Sequence, residues 1–255
     1  MKPLVTGGRL KIGAARLLTS APIGWAVGTA LSHQIPNRGL TFDTADRAFT
    51  RAVEAELLFR LYEDAEIRFA RKHLAGADFV IDLGSSLGIV ASHALSVMAS
   101  NGRMICVEAN PRLLGSLRRT IEDHASGRRV DIVHAAVAYG ADTARLTVNN
   151  VSTASKLSDS EGDGVVEVPS LTLTEILERC AVNQPYAMVS DIEGAEGLLL
   201  REDSAALGRC HLLLAELHTS VVNGSKATIE KSYRGLLSLG FKVLDQHGPV
   251  FVFSR

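Results

Sequence analysis

Phe79 to Gly88 constrains this chain more than any other stretch. Phe79-Val80-Ile81-Asp82-Leu83 is a short apolar run that reads as a buried strand, and Gly84-Ser85-Ser86-Leu87-Gly88 is a small-residue turn. Leu87, Val90, Ala91, Ala94, Leu95 and Met98 then recur at helical spacing. Strand, tight turn and amphipathic helix in that order open a nucleotide-type βαβ unit, whose ligand lies across the turn.

The turn also constrains the ligand. A dinucleotide fingerprint spaces its glycines G-x-G-x-x-G so that backbone can approach a pyrophosphate at the helix amino end. Here the glycines are Gly84 and Gly88, with Ser85 and Ser86 between them and Asp82 just before. A carboxylate at that place repels a pyrophosphate and suits a cofactor that carries positive charge and no phosphate. S-adenosylmethionine, with its sulfonium and amino group, has that chemistry.

Other acids fall at the same edge. Strand two, Arg103 to Val107, is followed by Glu108, about 20 residues past the glycines, where an acid accepts hydrogen bonds from a ribose diol. Asn110 and Pro111 read as an N-cap and first helical residue, and His124 as a helix-end residue. Strand three, Val130 to Ala135, ends in small residues, and Ala135 leaves room for an adenine ring. Strand four, Ala187 to Ser190, runs into Asp191-Ile192-Glu193-Gly194-Ala195-Glu196. Three acids directly after a buried strand are costly unless they meet water, a cation or a ligand. Strand five, Leu212 to Leu217, brings Glu216 and His218 to one side. In open α/β sheets the ligand crevice lies outside the carboxyl ends of the strands, where all these groups fall.

The rest of the chain is read as scaffold. Phe49, Val53, Leu57, Leu61 and Ala65 fall at four-residue steps, which predicts a helical pattern over 44–74. Asn150 to Gly164 is a polar loop, either a lid or a plain excursion. Thr172 with Glu175 fits a capping box. Ser225 starts a helix that Gly240 stops. Phe241 to Leu244 and Val250 to Phe253 are joined too closely for a parallel crossover, so they pair antiparallel. The expected fold is α/β: a Rossmann-like, doubly wound, seven-stranded sheet with a C-terminal antiparallel hairpin, plus an N-terminal helical extension. The domains are 1–74, the extension, and 75–255. A mostly parallel sheet ending in such a hairpin is the class I methyltransferase arrangement.

From Tyr62 to the carboxyl terminus the chain resembles the FkbM family of S-adenosylmethionine-dependent methyltransferases. The stretches that carry the resemblance are Tyr62-Glu63, Asp82-Leu83-Gly84-Ser85-Ser86-Leu87-Gly88, Glu108-Ala109-Asn110-Pro111, Val189-Ser190-Asp191-Ile192-Glu193-Gly194-Ala195-Glu196 and Glu216-Leu217-His218. Ser86 stands where the family usually has Asn, and Val189 where it has Lys. The resemblance implies methyl transfer to a hydroxyl of a sugar, glycolipid or secondary-metabolite acceptor. It also places Glu63, Ala109 and Asp191 among the cofactor contacts. His218 is the first choice of general base, with Asp191 or Glu216 to orient it or replace it. A variant of this reading adds Mg²⁺ or Mn²⁺ held by Asp191, Glu193, Glu216 and His218.

Charge and cysteine content narrow the alternatives. A formal net charge of −1 over 255 residues gives no bulk attraction for nucleic acid or an anionic membrane. The three cysteines are scattered through apolar segments, so a reducing, cytoplasmic setting is expected rather than a disulfide framework. No apolar run reaches membrane-spanning length. Residues 10–31 imitate a signal sequence or a membrane-surface anchor; the reading adopted is a lead-in helix broken near Pro22 and Gly24. Two other classes stay open at this level. An NAD-linked oxidoreductase is opposed by Asp82 and the missing third glycine. A non-catalytic module would keep the fold for binding alone.

Overall fold

The computed structural model describes residues 18–148, 156–157, 164–222 and 225–255. Most of the Asn150–Gly164 loop, and residues 10–17 of the apolar amino-terminal stretch, lie outside them. By its contacts the chain divides into two compact units, residues 1–64 and 65–255.

In the first unit, helix α1 (Ala21–Ala30) is not broken at Pro22 or Gly24. Pro22 sits in the first turn, where no backbone N–H is needed, and Gly24 N–H continues the ladder to Ser20 O at 3.0 Å. A hairpin of β1 (Gln34–Asn37) and β2 (Leu40–Asp43) follows. Arg38 and Gly39 both have positive φ at its tip, as a two-residue hairpin turn requires. Helix α2 (Arg51–Leu58) is capped by Thr50, whose hydroxyl accepts from Val53 N–H at 3.3 Å.

The glycines of α1 bring it hard against α2. A Cβ on Gly24 would stand 1.6 Å from Arg51 O, and one on Gly28 2.6 Å from the Glu54 carboxylate. Glu54 is fully buried and paired with His33 Nδ1 at 2.6 Å and Arg51 Nη1 at 2.9 Å. Gly24→Ala is therefore expected to cost about 1–3 kcal/mol through overpacking. Urea unfolding of the full chain measures it, and an unchanged midpoint would rule out this close approach.

The helical pattern over 44–74 resolves into two helices, α2 and α3 (Asp64–His73). Arg60 and Glu63 adopt positive φ between them (59° and 40°), which stops the first helix. Apolar spacing alone carried the reading across that break.

The second unit is an α/β sheet. Its strands in chain order are β3 (Phe79–Leu83), β4 (Arg103–Glu108), β5 (Arg129–His134), β10 (Tyr186–Ser190), β11 (Cys210–Glu216), β14 (Lys242–His247) and β15 (Val250–Ser254). The spatial order is β14-β15-β11-β10-β3-β4-β5. Within it β5, β4, β3, β10 and β11 pair in parallel; β15 pairs antiparallel with both β11 and β14. This is the doubly wound sheet with an antiparallel hairpin that the sequence predicts. Every residue of β3 and of β10 is buried, which is why both read as apolar runs, interrupted in β3 by Asp82 and ended in β10 by Ser190.

Helices connect these strands: α4 (Ile89–Leu95) and α5 (Leu114–His124) flank β4, and α6 (Leu173–Arg179) precedes β10. Then come α7 (Glu196–Glu202) and α8 (Ser204–Leu207) before β11, and α9 (Ile229–Ser238) before β14. Between β5 and α6 a small second sheet forms from β6 (Ala136–Val137), β7 (Thr143–Thr147), β8 (Lys156–Leu157) and β9 (Val165–Leu171), ordered β6-β9-β7-β8. Thr172 and Glu175 close the predicted capping box on α6.

Ser225 does not start a helix. It lies in β13 (Ser225–Ala227), paired with β12 (Ser220–Val222), and α9 begins after Thr228, whose hydroxyl accepts from Lys231 N–H at 3.2 Å. Hairpin pairing with β12 takes up Ser225, and the cap falls three residues later, at Thr228.

The chain order switches direction beside β3: β4 and β5 build out on one side, then β10 and β11 on the other. A crevice opens where that reversal occurs, at the carboxyl ends of β3 and β10. Among the described residues, no helix is long and apolar enough to cross a membrane.

Candidate active site

The turn after β3 is pinned from two sides. Gly84 N–H and Ser85 N–H both donate to Val107 O, at 2.9 and 3.0 Å, and Asp191 N–H donates to Leu83 O at 2.9 Å. Gly84 has φ +87°, and a Cβ there would stand 1.9 Å from Asp191 O. No other residue type fits that approach. Gly88, with φ +80°, caps α4.

Asp82 is buried in β3. Burial pushes its carboxyl up to about 7, the Glu108 charge adds to this, and a hydrogen bond from Ser85 opposes it. Its Oδ2 is buried without a hydrogen-bond partner, as is Ser86 Oγ. Both unpartnered oxygens belong to the segment from which the turn was expected to hold the cofactor.

Glu108, at the end of β4, accepts from Ser86 N–H at 2.7 Å and from Asn110 N–H at 2.6 Å. Burial raises its pKa and these backbone N–H groups lower it. The acid thus ties the first turn to the second. The second turn meets the third strand end as well: Ala135 N–H donates to Glu108 O at 3.2 Å, and His134 Nε2 lies 3.1 Å from Ala109 O. Asp82, Gly84, Ser85, Ser86, Gly88, Glu108, Ala109 and Ala135 therefore gather at the carboxyl ends of three adjacent strands. Glu63 belongs to the first unit, in the turn between α2 and α3.

A second group forms at the ends of β10 and β11. Glu193 (φ +50°) and Gly194 (φ +109°) are successive left-handed residues, which turn the chain sharply into α7. Left-handed backbone at a glutamate carries strain of the kind that collects at functional sites. The turn sets Glu196 in the first turn of α7, only 3 % exposed.

Glu196 Oε1 lies 2.9 Å from His218 Nδ1 and accepts from Gly194 N–H at 3.3 Å. The other imidazole nitrogen, Nε2, faces Asp191 Oδ1 at 3.7 Å, Glu216 Oε1 at 3.7 Å and Glu193 Oε2 at 3.8 Å. Burial disfavours the imidazolium, but the Glu196 hydrogen bond and the surrounding acids outweigh it and hold His218 up at about 9. Burial raises Asp191 to about 8, with the Glu216 charge adding to it and His218 opposing.

The sequence reading named Asp191, Glu193, Glu216 and His218, and the fold brings all four together. It gave no role to Glu196, the residue that orients the imidazole. Glu196 is the last of three acids in Asp191–Glu196 and opens a helix, which looks like an ordinary first-turn charge; only burial and the contact to His218 distinguish it.

A family model described as the methyltransferase FkbM domain matches residues 82–243. No curated protein matches the chain. Solved structures align over most of it at low identity. The precorrin-6y C5,15-methyltransferase of Geobacter metallireducens is 15% identical, with 76% of this chain and 87% of that one covered and a TM-score of 0.43. Aeropyrum pernix fibrillarin with natively bound S-adenosyl-L-methionine is 12% identical, with 71% and 67% covered and a TM-score of 0.44. The Bacillus cereus O-methyltransferase in complex with SAH is 12% identical, with 75% and 81% covered and a TM-score of 0.43.

Proposed function

The chain belongs to the FkbM methyltransferase family, and on that footing we propose that it methylates a hydroxyl oxygen of a sugar, glycolipid or secondary metabolite at the crevice beside Asp191 and His218. S-adenosylmethionine is its methyl donor. The residues present fit that cofactor: the Gly84 turn leaves no room for a side chain, and Asp82 Oδ2 and Ser86 Oγ are buried polar atoms in want of partners. Glu108 would take the ribose hydroxyls, Asp82 the positively charged end, and Ala109 and Ala135 the adenine. When bound, the cofactor supplies a methyl already activated on a sulfonium.

The chain's own part is alignment and proton removal. Alignment of nucleophile with a reacting carbon is worth about 7–11 kcal/mol when the pair is well held. The hydroxyl must also lose its proton as the oxygen–methyl bond forms. Asp191, Glu216 and His218 Nε2 stand within hydrogen-bonding reach of one small volume, and Glu196 fixes which imidazole nitrogen faces it. The observation that carries this reading is the contact between the two turns. With Gly84 under the carbonyl of Asp191, cofactor groove and acid–imidazole group are parts of one crevice.

Thermal-shift titration with S-adenosylhomocysteine, compared with NAD, tests the cofactor. A ligand at 100 times its Kd stabilises the native state by about 2.7 kcal/mol, so S-adenosylhomocysteine is expected to raise the Tm and NAD to leave it unchanged. The reverse would end the reading. Transfer of labelled methyl to a panel of glycolipids and hydroxylated metabolites then tests the acceptor class.

Glu108→Ala is expected to weaken S-adenosylhomocysteine binding by about 10- to 100-fold. The loss corresponds to about 1.5–3 kcal/mol for hydrogen bonds to a charged group. Calorimetric titration measures it; unchanged affinity would remove Glu108 from the cofactor groove.

A further inference from the structure

We infer that Asp191, Glu193 and His218 form a binding site for one divalent cation, of the Mn²⁺ or Mg²⁺ type, beside the acceptor hydroxyl. This deepens the methyl-transfer reading and rests on it.

Ligand geometry comes first. One ligand atom from each of the three residues lies within 4.8 Å of the others. The Nε2 contacts of 3.7 and 3.8 Å are too long for hydrogen bonds. They suit ligands that share an ion, because two atoms each about 2.1 Å from a common metal stand about 3–4 Å apart.

The imidazole is also prepared as a ligand. Glu196, itself buried, binds Nδ1 and so presents Nε2 to the acids. A carboxylate behind a ligating histidine fixes its tautomer and orientation in many metal sites.

An orphaned atom supplies an independent observation. Asp191 Oδ1, the oxygen that faces Nε2, is buried with no hydrogen-bond partner. Such an atom costs free energy unless something binds it. Charge points the same way. Among the described residues, the ion pairs of Asp191, Glu196 and Glu216 all run to His218, and none to a lysine or arginine. One imidazole is the shared partner of all three acids. The two carboxylates of Asp191 and Glu193 and one imidazole make a hard-to-borderline donor set, which selects Mn²⁺ and Mg²⁺ over thiophilic metals.

The ion gives the site a second task. It acidifies a coordinated hydroxyl and holds its oxygen in place. The oxygen–hydrogen bond breaks with the proton passing to Glu216, the oxygen–methyl bond forms, and the methyl–sulfur electron pair leaves with sulfur as a neutral thioether. His218 then serves as ligand and Glu216 as proton acceptor.

The test is Mn²⁺ binding to the full chain, read by the loss of its free-ion paramagnetic resonance signal. Wild type is expected to take up a single Mn²⁺, and Mg²⁺ to displace it. Asp191→Asn and Glu193→Gln are each expected to weaken binding by about tenfold or more. S-adenosylhomocysteine thermal shifts, recorded with chelator on the same samples, report folding and the cofactor groove separately. A cofactor shift with no Mn²⁺ uptake at millimolar concentration overturns the cation site and leaves methyl transfer standing. Uptake undiminished in both folded variants also overturns it, as binding elsewhere. Uptake that depends on Asp191, with no cofactor shift, supports the cation site and removes the methyl-transfer reading.

Discussion

Gly84→Ala is expected to lower the Tm by about 10 °C and to abolish measurable S-adenosylhomocysteine binding. Two terms add. At φ +87° a side chain costs about 1–2 kcal/mol. The new methyl would also stand 1.9 Å from Asp191 O, and relief of such overpacking costs about 1–3 kcal/mol more. In a unit of this size each kcal/mol moves the Tm by about 2–4 °C. Relief means moving the β3 turn away from the β10 turn, which opens the crevice that both sites share. Gly127→Ala is the control: φ is +80°, but nothing lies within 4 Å, so only the conformational term applies. If the two variants melt together, the close approach at Gly84 is not what holds the turns in place.

His218→Ala is expected to reduce methyl transfer by about 10²–10⁴-fold, the usual worth of a group that takes the reacting proton or holds the ion that acidifies it, while S-adenosylhomocysteine affinity stays within about threefold of wild type. The alanine leaves Glu196 buried without its partner, and breaking a buried pair costs about 3–5 kcal/mol. His218→Asn keeps an N–H donor for Glu196 and separates lost stability from lost chemistry. Glu196→Gln retains an oxygen that accepts from Nδ1 but removes the charge; about 10- to 100-fold lower turnover is expected. Single-turnover kinetics at saturating cofactor read each effect. Near-wild-type turnover in folded His218→Asn would take the imidazole out of the reaction.

Much of the scaffold was legible. The strands β3, β4 and β10 and the closing hairpin follow from apolar runs bounded by turns, because a strand buried on both faces has no polar alternation to hide it. The capping box at Thr172 follows from two residues three apart. The break between α2 and α3 did not show, because positive φ at Arg60 and Glu63 leaves no mark on apolar spacing. Asp203 illustrates the same limit. Nothing in its neighbourhood in the sequence marks it, yet it is 3 % exposed and accepts from Leu173 N–H at 2.8 Å, Thr174 Oγ1 at 2.6 Å and Tyr139 OH at 2.5 Å. Those partners lie 29, 30 and 64 residues away along the chain, beyond any local pattern.

Residue order alone determined which groups reach the working edge of the sheet. A strand's carboxyl end is where its sequence run stops, so the run lengths alone put Asp82, Glu108, Asp191 and Glu216 there. Tertiary structure alone decided how those groups face one another: Gly84 beneath a carbonyl 107 positions later, and an imidazole turned by Glu196 toward three carboxylates. The reason is physical. Strand ends follow from short-range hydrophobic pattern, whereas ångström distances between side chains depend on strand order, sheet twist and burial, which the whole fold sets at once.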